Sequence, residues 1–296
     1  MPEGVECLIV AEKLREWFKD IDLNKSGFCP IKLVNIIEPV SVRYSPIDFS
    51  EFNSVYKNVS YNTIQTFGKS IFIPSNTGHC VMVQLGMTGT FSEQKNRHSR
   101  LVFKAFNSKD DFISSDLYYN DMRKFGHLML FKTGSIPRNM SNIFNYSIDW
   151  RNKKAPLLFS KRVLLRESWR EAEIKTVLLN QQIIAGIGNI YVSEGLFRSK
   201  INPKTRVKNL TEEELKRIIF ETQKFMEQSY KVGGMTVKNF EAFGQKGFGK
   251  QYLKVYGKNG IICPECHQSI IQRILLKKRS AYYCPFCQVE KTSIEK

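Results

Sequence analysis

The stretch Cys263–Cys287, CPECHQSIIQRILLKKRSAYYCPFC, holds two CxxC knuckles, Cys263/Cys266 and Cys284/Cys287, separated by 17 residues. Each knuckle can put two thiolates on one ion, and four thiolates about 2.3 Å from it close a tetrahedron without an open position for water. The spacing therefore predicts one structural zinc per chain, in preference to four free thiols or disulfides. Between the knuckles, QSIIQRILLKKRSAYY reads as a β-hairpin with Lys277, Lys278 and Arg279 near its tip. A metal-braced hairpin presenting cations suits a nucleic-acid groove, although a solvated Lys/Arg turn would look alike.

Outward from this module, the charge points the same way. The 296-residue chain carries 45 Lys and Arg against 28 Asp and Glu, a formal net charge of +17. Such an excess favours nucleic acid or an anionic membrane as partner, through counterion release and steering. It is also concentrated: residues 246–296 hold ten basic side chains against three acidic ones. An apolar content of 42% excludes a disordered chain. No run of 18 apolar residues occurs, so no segment is expected to span a bilayer. Glu3, Glu6, Glu12 and Lys13 interrupt any signal-peptide core, and the seven cysteines are odd in number. Both features predict an intracellular protein, with Cys7, Cys29 and Cys80 as reduced core residues.

The length predicts two domains with a small appendage. Val5–Lys19 has a broad apolar face at helical spacing: Val5, Leu8, Ile9, Leu14, Trp17 and Phe18. β-Rich runs follow at Ser70–Ile73, Cys80–Leu85, Leu101–Phe106, Leu117–Tyr119 and His127–Phe131, which predicts a sandwich or barrel. Thr133–Pro156 loses this periodicity and reads as a linker. Beyond it helices are expected over Ser168–Ile184, over Asn189–Arg198 and from a capping box, Thr211 with Glu214, towards Tyr230, where Gly233-Gly234 ends the run. The expected division is 1–132, a linker 133–156, a helical domain 157–260 and a finger 261–296.

Two further constellations bear on chemistry. Ala185-Gly186-Ile187-Gly188-Asn189 lies between two expected helices, where glycines and a helix N-terminus let backbone N–H groups approach a phosphate. Read alone, this G-x-G is better explained as a helical hairpin turn. The N-terminus, Met1-Pro2-Glu3-Gly4-Val5-Glu6, is by itself a plain one. A small second residue nevertheless favours removal of Met1, which would expose Pro2 as a secondary amine. An α-amino group titrates at about 7.7–8.0, so part of it is neutral and nucleophilic near neutrality. Such an amine can attack a sugar C1′ and form a cationic imine, with Glu3 and Glu6 close enough to move protons.

Taken together, these elements resemble the Fpg/Nei family of formamidopyrimidine-DNA glycosylases and endonuclease VIII enzymes. The likeness spans nearly the whole chain in order: PEG at Pro2–Gly4, FGKS around Lys69, QLGMTG at Gln84–Gly89 and YNDMRKFG at Tyr119–Gly126. AGIGNIYVSEGLF at Ala185–Phe197, LKVYGK at Leu253–Lys258 and the cysteine module complete it. The resemblance implies an α+β fold, with an N-terminal β-sandwich flanked by helices and a C-terminal helix–two-turn–helix domain bearing a zinc-finger hairpin, DNA being clamped between the two. It implies a monomeric base-excision-repair enzyme, a glycosylase and AP lyase acting on damaged duplex DNA, with single-stranded DNA left open as a further substrate. Pro2 would form the Schiff base, Glu3 would help open the sugar, Glu6 would organise water or protons, and β,δ-elimination would follow. Lys69 matches a lysine that contacts phosphate and assists proton transfer. Asn189 and Arg279 match phosphate-gripping residues, and Lys175 a lysine lining the lesion side. Met87, Arg123 and Phe125 match residues that fill the gap left by an extruded nucleotide, a need that arises because C1′ is out of reach inside the stack. A sandwich-core position is the alternative for Met87 and Phe125, less favoured because both sit beside glycines in expected turns.

Three positions depart from the family pattern: Val5 and Met122 stand where proline is usual, and Gln84 where a histidine is common. Gly4 after Pro2-Glu3 resembles the endonuclease VIII branch and favours oxidised pyrimidines. The stretch Gly233–Lys250 could instead form a lesion-contacting loop associated with oxidised purines. A noncatalytic DNA- or RNA-binding protein, or a sensor that flips lesions without cutting, would share the binding modules. The binder would not need Pro2, Glu3 and Lys69 together; the sensor is told apart by covalent trapping.

Overall fold

The computed structural model describes residues 2–22, 24–36, 49–107, 110–133, 147–236 and 241–292. Contacts divide the chain into two compact units: residues 1–141 with 233–248, and residues 142–232 with 249–296.

The first unit opens with helix α1 (Gly4–Ile21), begun by a capping box in which Glu6 Oε2 accepts the Glu3 N–H at 2.8 Å. Its apolar spacing buries Val5, Ile9, Leu14, Trp17 and Phe18. Each such side chain contributes about 1.5–3 kcal/mol by leaving water. At the far end Asp22 accepts from Ser26, Gly27 and Tyr61 and stops the helix. The remaining elements are β1 (Phe28–Ile36), α2 (Phe49–Val55), β2 (Asn58–Ser60), β3 (Gln65–Phe67), β4 (Ser70–Pro74), β5 (His79–Gln84), β6 (Gly89–Ser92), β7 (Ser99–Asn107), β8 (Asp110–Asp121) and β9 (His127–Lys132).

These strands form two antiparallel sheets, one ordered β2-β1-β7-β8-β6 and the other β3-β4-β5-β9. Ile31, Phe91, Phe103 and Leu117 of the first meet Ile73, Val81 and Leu128 of the second around one apolar interior, so the expected sandwich is present. Strands β1, β2, β3 and β6 were not legible in the sequence. Pro30 hides β1, yet it sits where pairing passes from β2 to β7, a place that tolerates a missing N–H.

The second unit contains β10 (Ile148–Asp149), α3 (Ala155–Leu165), α4 (Glu167–Arg170), α5 (Ile174–Leu178), β11 (Ile184–Ala185), α6 (Asn189–Arg198), α7 (Glu212–Lys231), β12 (Gln272–Leu276) and β13 (Arg279–Tyr283). Helix α6 has the expected bounds, and α7 starts at the expected box, Glu214 N donating to Thr211 Oγ1 at 3.2 Å. The single helix expected over Ser168–Ile184 does not form. Asn180 turns the chain by bonding back to Gln182 and Ile183, and Ile184–Ala185 then pairs in parallel with Ile148–Asp149. Of the expected linker, residues 134–146 lie outside the described residues, whereas Ile148–Asp149 and Ala155–Pro156 belong to elements of this unit. Nor is 157–260 one continuous body, because residues 233–248 pack with the first unit. Phe197, Val255, Ile271, Cys263 and Cys284 form the core that seats the finger on the end of α6. Among the described residues no helix is long and apolar enough to cross a membrane.

Candidate nucleic-acid site

The first cluster gathers at the start of α1. Pro2, Glu3 and Glu6 are buried there, Glu3 only 1% exposed and Glu6 2%. Opposite them, β3 and β4 join through a two-residue turn, Gly68-Lys69, whose Gly68 has φ +56, the sign that a II′ turn needs at this position. The half-buried Lys69 is held against α1 by the Cys7 thiol, which donates to the Lys69 carbonyl at 3.3 Å. Burial and then the Glu6 and Glu3 carboxylates push that thiol far up, against a pull down from Lys69. Both carboxylates and the lysine charge are therefore felt at one buried point. Glu6 is divided between two tasks, since its Oε1 accepts the Met235 N–H at 2.9 Å. That bond fastens the returning 233–248 segment to the helix that carries Pro2. The stabilising N-terminal end of an 18-residue helix is a suitable place for both acids.

The second cluster is a pair of turns. Met87 is half-buried in the turn between β5 and β6, and Arg123 and Phe125 are exposed in the turn between β8 and β9. Phe125 is 50% exposed, and the Arg123 guanidinium lies over its ring at 4.9 Å. Neither Met87 nor Phe125 fills the sandwich core. The sequence reading missed Asp121, which builds this platform: Oδ1 accepts from Thr88 Oγ1 at 2.5 Å and from Arg123 N at 3.2 Å, and Oδ2 from Gly126 N at 2.7 Å. Its place within YNDMRKFG, an acidic residue just ahead of a turn, was the available signal, and in the fold it is fully buried. Gln84 Nε2 donates to Ser70 Oγ at 3.1 Å, next to Lys69.

The second unit holds the third cluster. Asn189 is the first residue of α6, with Gly188 as its N-cap. Gln181 braces the preceding turn, Nε2 donating to Ile187 O at 2.8 Å and Oε1 accepting from Gly186 N at 3.0 Å, a role the sequence reading also missed. Arg279 is exposed at the first position of β13, directly after the turn Lys277-Lys278. Lys175 stands apart from the expectation of a lesion-lining side chain. It is 1% exposed, and its Nζ donates to Asn189 Oδ1 at 2.7 Å and to the Ser280 carbonyl.

The four knuckle sulfurs lie within 4.8 Å of one another, with Cys263 to Cys287 at 3.8 Å and Cys266 to Cys284 at 3.7 Å. Sulfurs about 2.3 Å from one tetrahedral ion stand roughly 3.8 Å apart, so the donor set fits zinc. The Gln268 N–H, helped by that of Ser269 and by the Cys284 and Cys263 thiols, lowers the Cys266 thiol to about 7, whereas burial raises the thiols of Cys284 and Cys287.

Residues 1–128 match the family model described as "Formamidopyrimidine-DNA glycosylase N-terminal domain", and residues 158–241 match "Formamidopyrimidine-DNA glycosylase H2TH domain". The formamidopyrimidine-DNA glycosylase of Pelotomaculum thermopropionicum is 31% identical over 264 residues, covering 87% of this chain and 91% of that one. A point mutant of the Lactococcus lactis Fpg, solved with Fapy-dG-containing DNA, superposes with a TM-score of 0.79 at 26% identity, covering 98% of this chain and all of that one. The wild-type L. lactis enzyme, solved with DNA containing an oxidised pyrimidine, gives 0.78 at 25% identity over the same shares.

Proposed function

Because the chain belongs to the formamidopyrimidine-DNA glycosylase family, whose members are DNA glycosylases with AP lyase activity, we propose that Pro2 is the nucleophile of this enzyme. The observation that carries the assignment is the convergence of Pro2, Glu3, Glu6 and Lys69 at the N-terminus of α1. With Met1 removed, the Pro2 nitrogen attacks C1′, the bond from C1′ to the base breaks, and the base leaves with a proton. Glu3 protonates the ring oxygen as the sugar opens to a cationic imine. Loss of a C2′ proton then expels the 3′ phosphate, and a second elimination expels the 5′ phosphate. Lys69 holds phosphate and assists these transfers, while Glu6 keeps Glu3 and the 233–248 segment in register.

The proposed substrate is damaged duplex DNA, taken by a monomer inside the cell. Arg123, Phe125 and Met87 occupy the space vacated by the lesion nucleotide, and Asn189 and Arg279 hold phosphates. Cys263, Cys266, Cys284 and Cys287 would hold a zinc ion that would supply no chemistry and would brace the hairpin carrying Arg279.

For the lesion, oxidised purines and formamidopyrimidines are the reading supported by the relatives' names and by the attachment of the 233–248 segment to Glu6. The endonuclease VIII-like reading, with oxidised pyrimidines, keeps the support of Gly4 and of the L. lactis enzyme seen with such DNA. Borohydride added during turnover should trap a covalent adduct on Pro2, and Pro2→Gly should abolish most of it. An adduct on Lys69 with Pro2 dispensable would overturn the mechanism. Parallel duplexes carrying one oxidised purine or one oxidised pyrimidine decide between the lesion classes.

A further inference from the structure

We infer that Lys175 is a positioning residue that aims the two phosphate-holding side chains of the second unit, Asn189 and Arg279, without touching DNA itself. The inference rests on the reading that those two residues hold phosphates. An ammonium buried to 1% exposure must have its donors satisfied. Lys175 directs one to Asn189 Oδ1 at 2.7 Å and another to the carbonyl of Ser280, the residue after Arg279. The first bond settles the orientation of the Asn189 amide. With Oδ1 engaged inward, the NH2 end is the one left for an anion in front of the helix N-terminus.

The second bond acts on the other element. Ser280 pairs with Leu275 across the finger hairpin, and Arg279 pairs with Leu276 at its tip. Holding the Ser280 carbonyl on α5 fixes the strand from which Arg279 projects. One buried cation thus joins the two-turn region, 14 positions along the chain, to the finger, 105 positions along it. The arrangement differs from a simple packing role because both separations are bridged by directed hydrogen bonds. A neutral chain of the same length would keep the packing and lose the aim.

The test uses full-length, zinc-loaded protein and a duplex bearing a tetrahydrofuran abasic analogue, with affinity measured across a salt series. Lys175→Met should weaken binding by about tenfold, the size of one lost charge-assisted hydrogen bond. It should also flatten the salt slope by roughly one contact, although Lys175 is buried. In the Lys175→Met background, Asn189→Ala should cost less than about twofold, whereas in the parent it should cost the full factor. Zinc content and melting temperature should stay near the parent's. Equal costs of Asn189→Ala in both backgrounds would overturn the inference alone. No effect of Asn189→Ala and Arg279→Ala in the parent would overturn the phosphate reading and the inference with it. Lys175→Gln, which keeps an NH2 donor group but no charge, should lie between Lys and Met. If neither variant folds, Lys175 is a folding determinant and the positioning role is wrong.

Discussion

A methyl group on Gly86 would lie 2.4 Å from both the carbonyl carbon and the carbonyl oxygen of Phe125. The Met87 turn and the Arg123–Phe125 turn are therefore in backbone contact, and Gly86 holds φ +60, where a Cβ is already disfavoured. Gly86→Ala should cost about 1–3 kcal/mol of stability. It should also separate the two turns, so that excision of a base lesion slows by more than the loss of folded protein explains. Single-turnover excision measured beside thermal unfolding checks this; unchanged excision would show that the contact has no part in the reaction.

Met87→Ala and Phe125→Ala should discriminate between substrates. Extruding a paired base costs a few kcal/mol of unstacking, a step that a preformed abasic site largely avoids. Each variant should slow base excision strongly and abasic-site cleavage little. Since Phe125 is 50% exposed, its truncation should leave the melting temperature nearly unchanged. Equal damage to both reactions would remove the gap-filling role.

Metal removal should act unevenly on the molecule. Chelation, or Cys284→Ser, should release one zinc per chain and lower DNA affinity, because Arg279 sits on the hairpin seated by those sulfurs. The first unit should keep its thermal transition. Full lesion cleavage by zinc-free protein would contradict the role assigned to the finger.

The end of α1 predicts a pH effect on stability. Burial works to raise the Asp22 carboxyl, but hydrogen bonds from Ser26, Tyr61 and the Gly27 and Ser26 backbone hold it below the usual range. A carboxyl lower in the folded than in the unfolded chain stabilises the fold above the unfolded value, about 3.9. That contribution is lost as pH falls through the folded value. Asp22→Ala should therefore cost about 1–3 kcal/mol near neutrality and progressively less in acid. Denaturant unfolding of both proteins from neutral to acid pH checks this; a constant difference would refute it.

Features whose physics is local were determined by the sequence alone. Thr211 and Glu214 close their capping box within one helical turn, Asn189–Arg198 forms where Gly188 ends the preceding turn, and the cysteine spacing brings four sulfurs together across a hairpin. The tertiary structure decided what depends on partners distant in the chain. Ile184–Ala185 left the expected helix because Ile148–Asp149 offers a strand to pair with. Strand β1 forms across a proline because β2 and β7 arrive on either side of it. Residues 233–248 joined the first unit, where Glu6 accepts the Met235 N–H across 229 positions of sequence. By its resemblance Lys175 is expected to line the lesion side. Only the folded chain encloses it between Asn189 and Ser280, because a buried ammonium stays where the fold supplies acceptors, and these come from segments that spacing alone does not bring together.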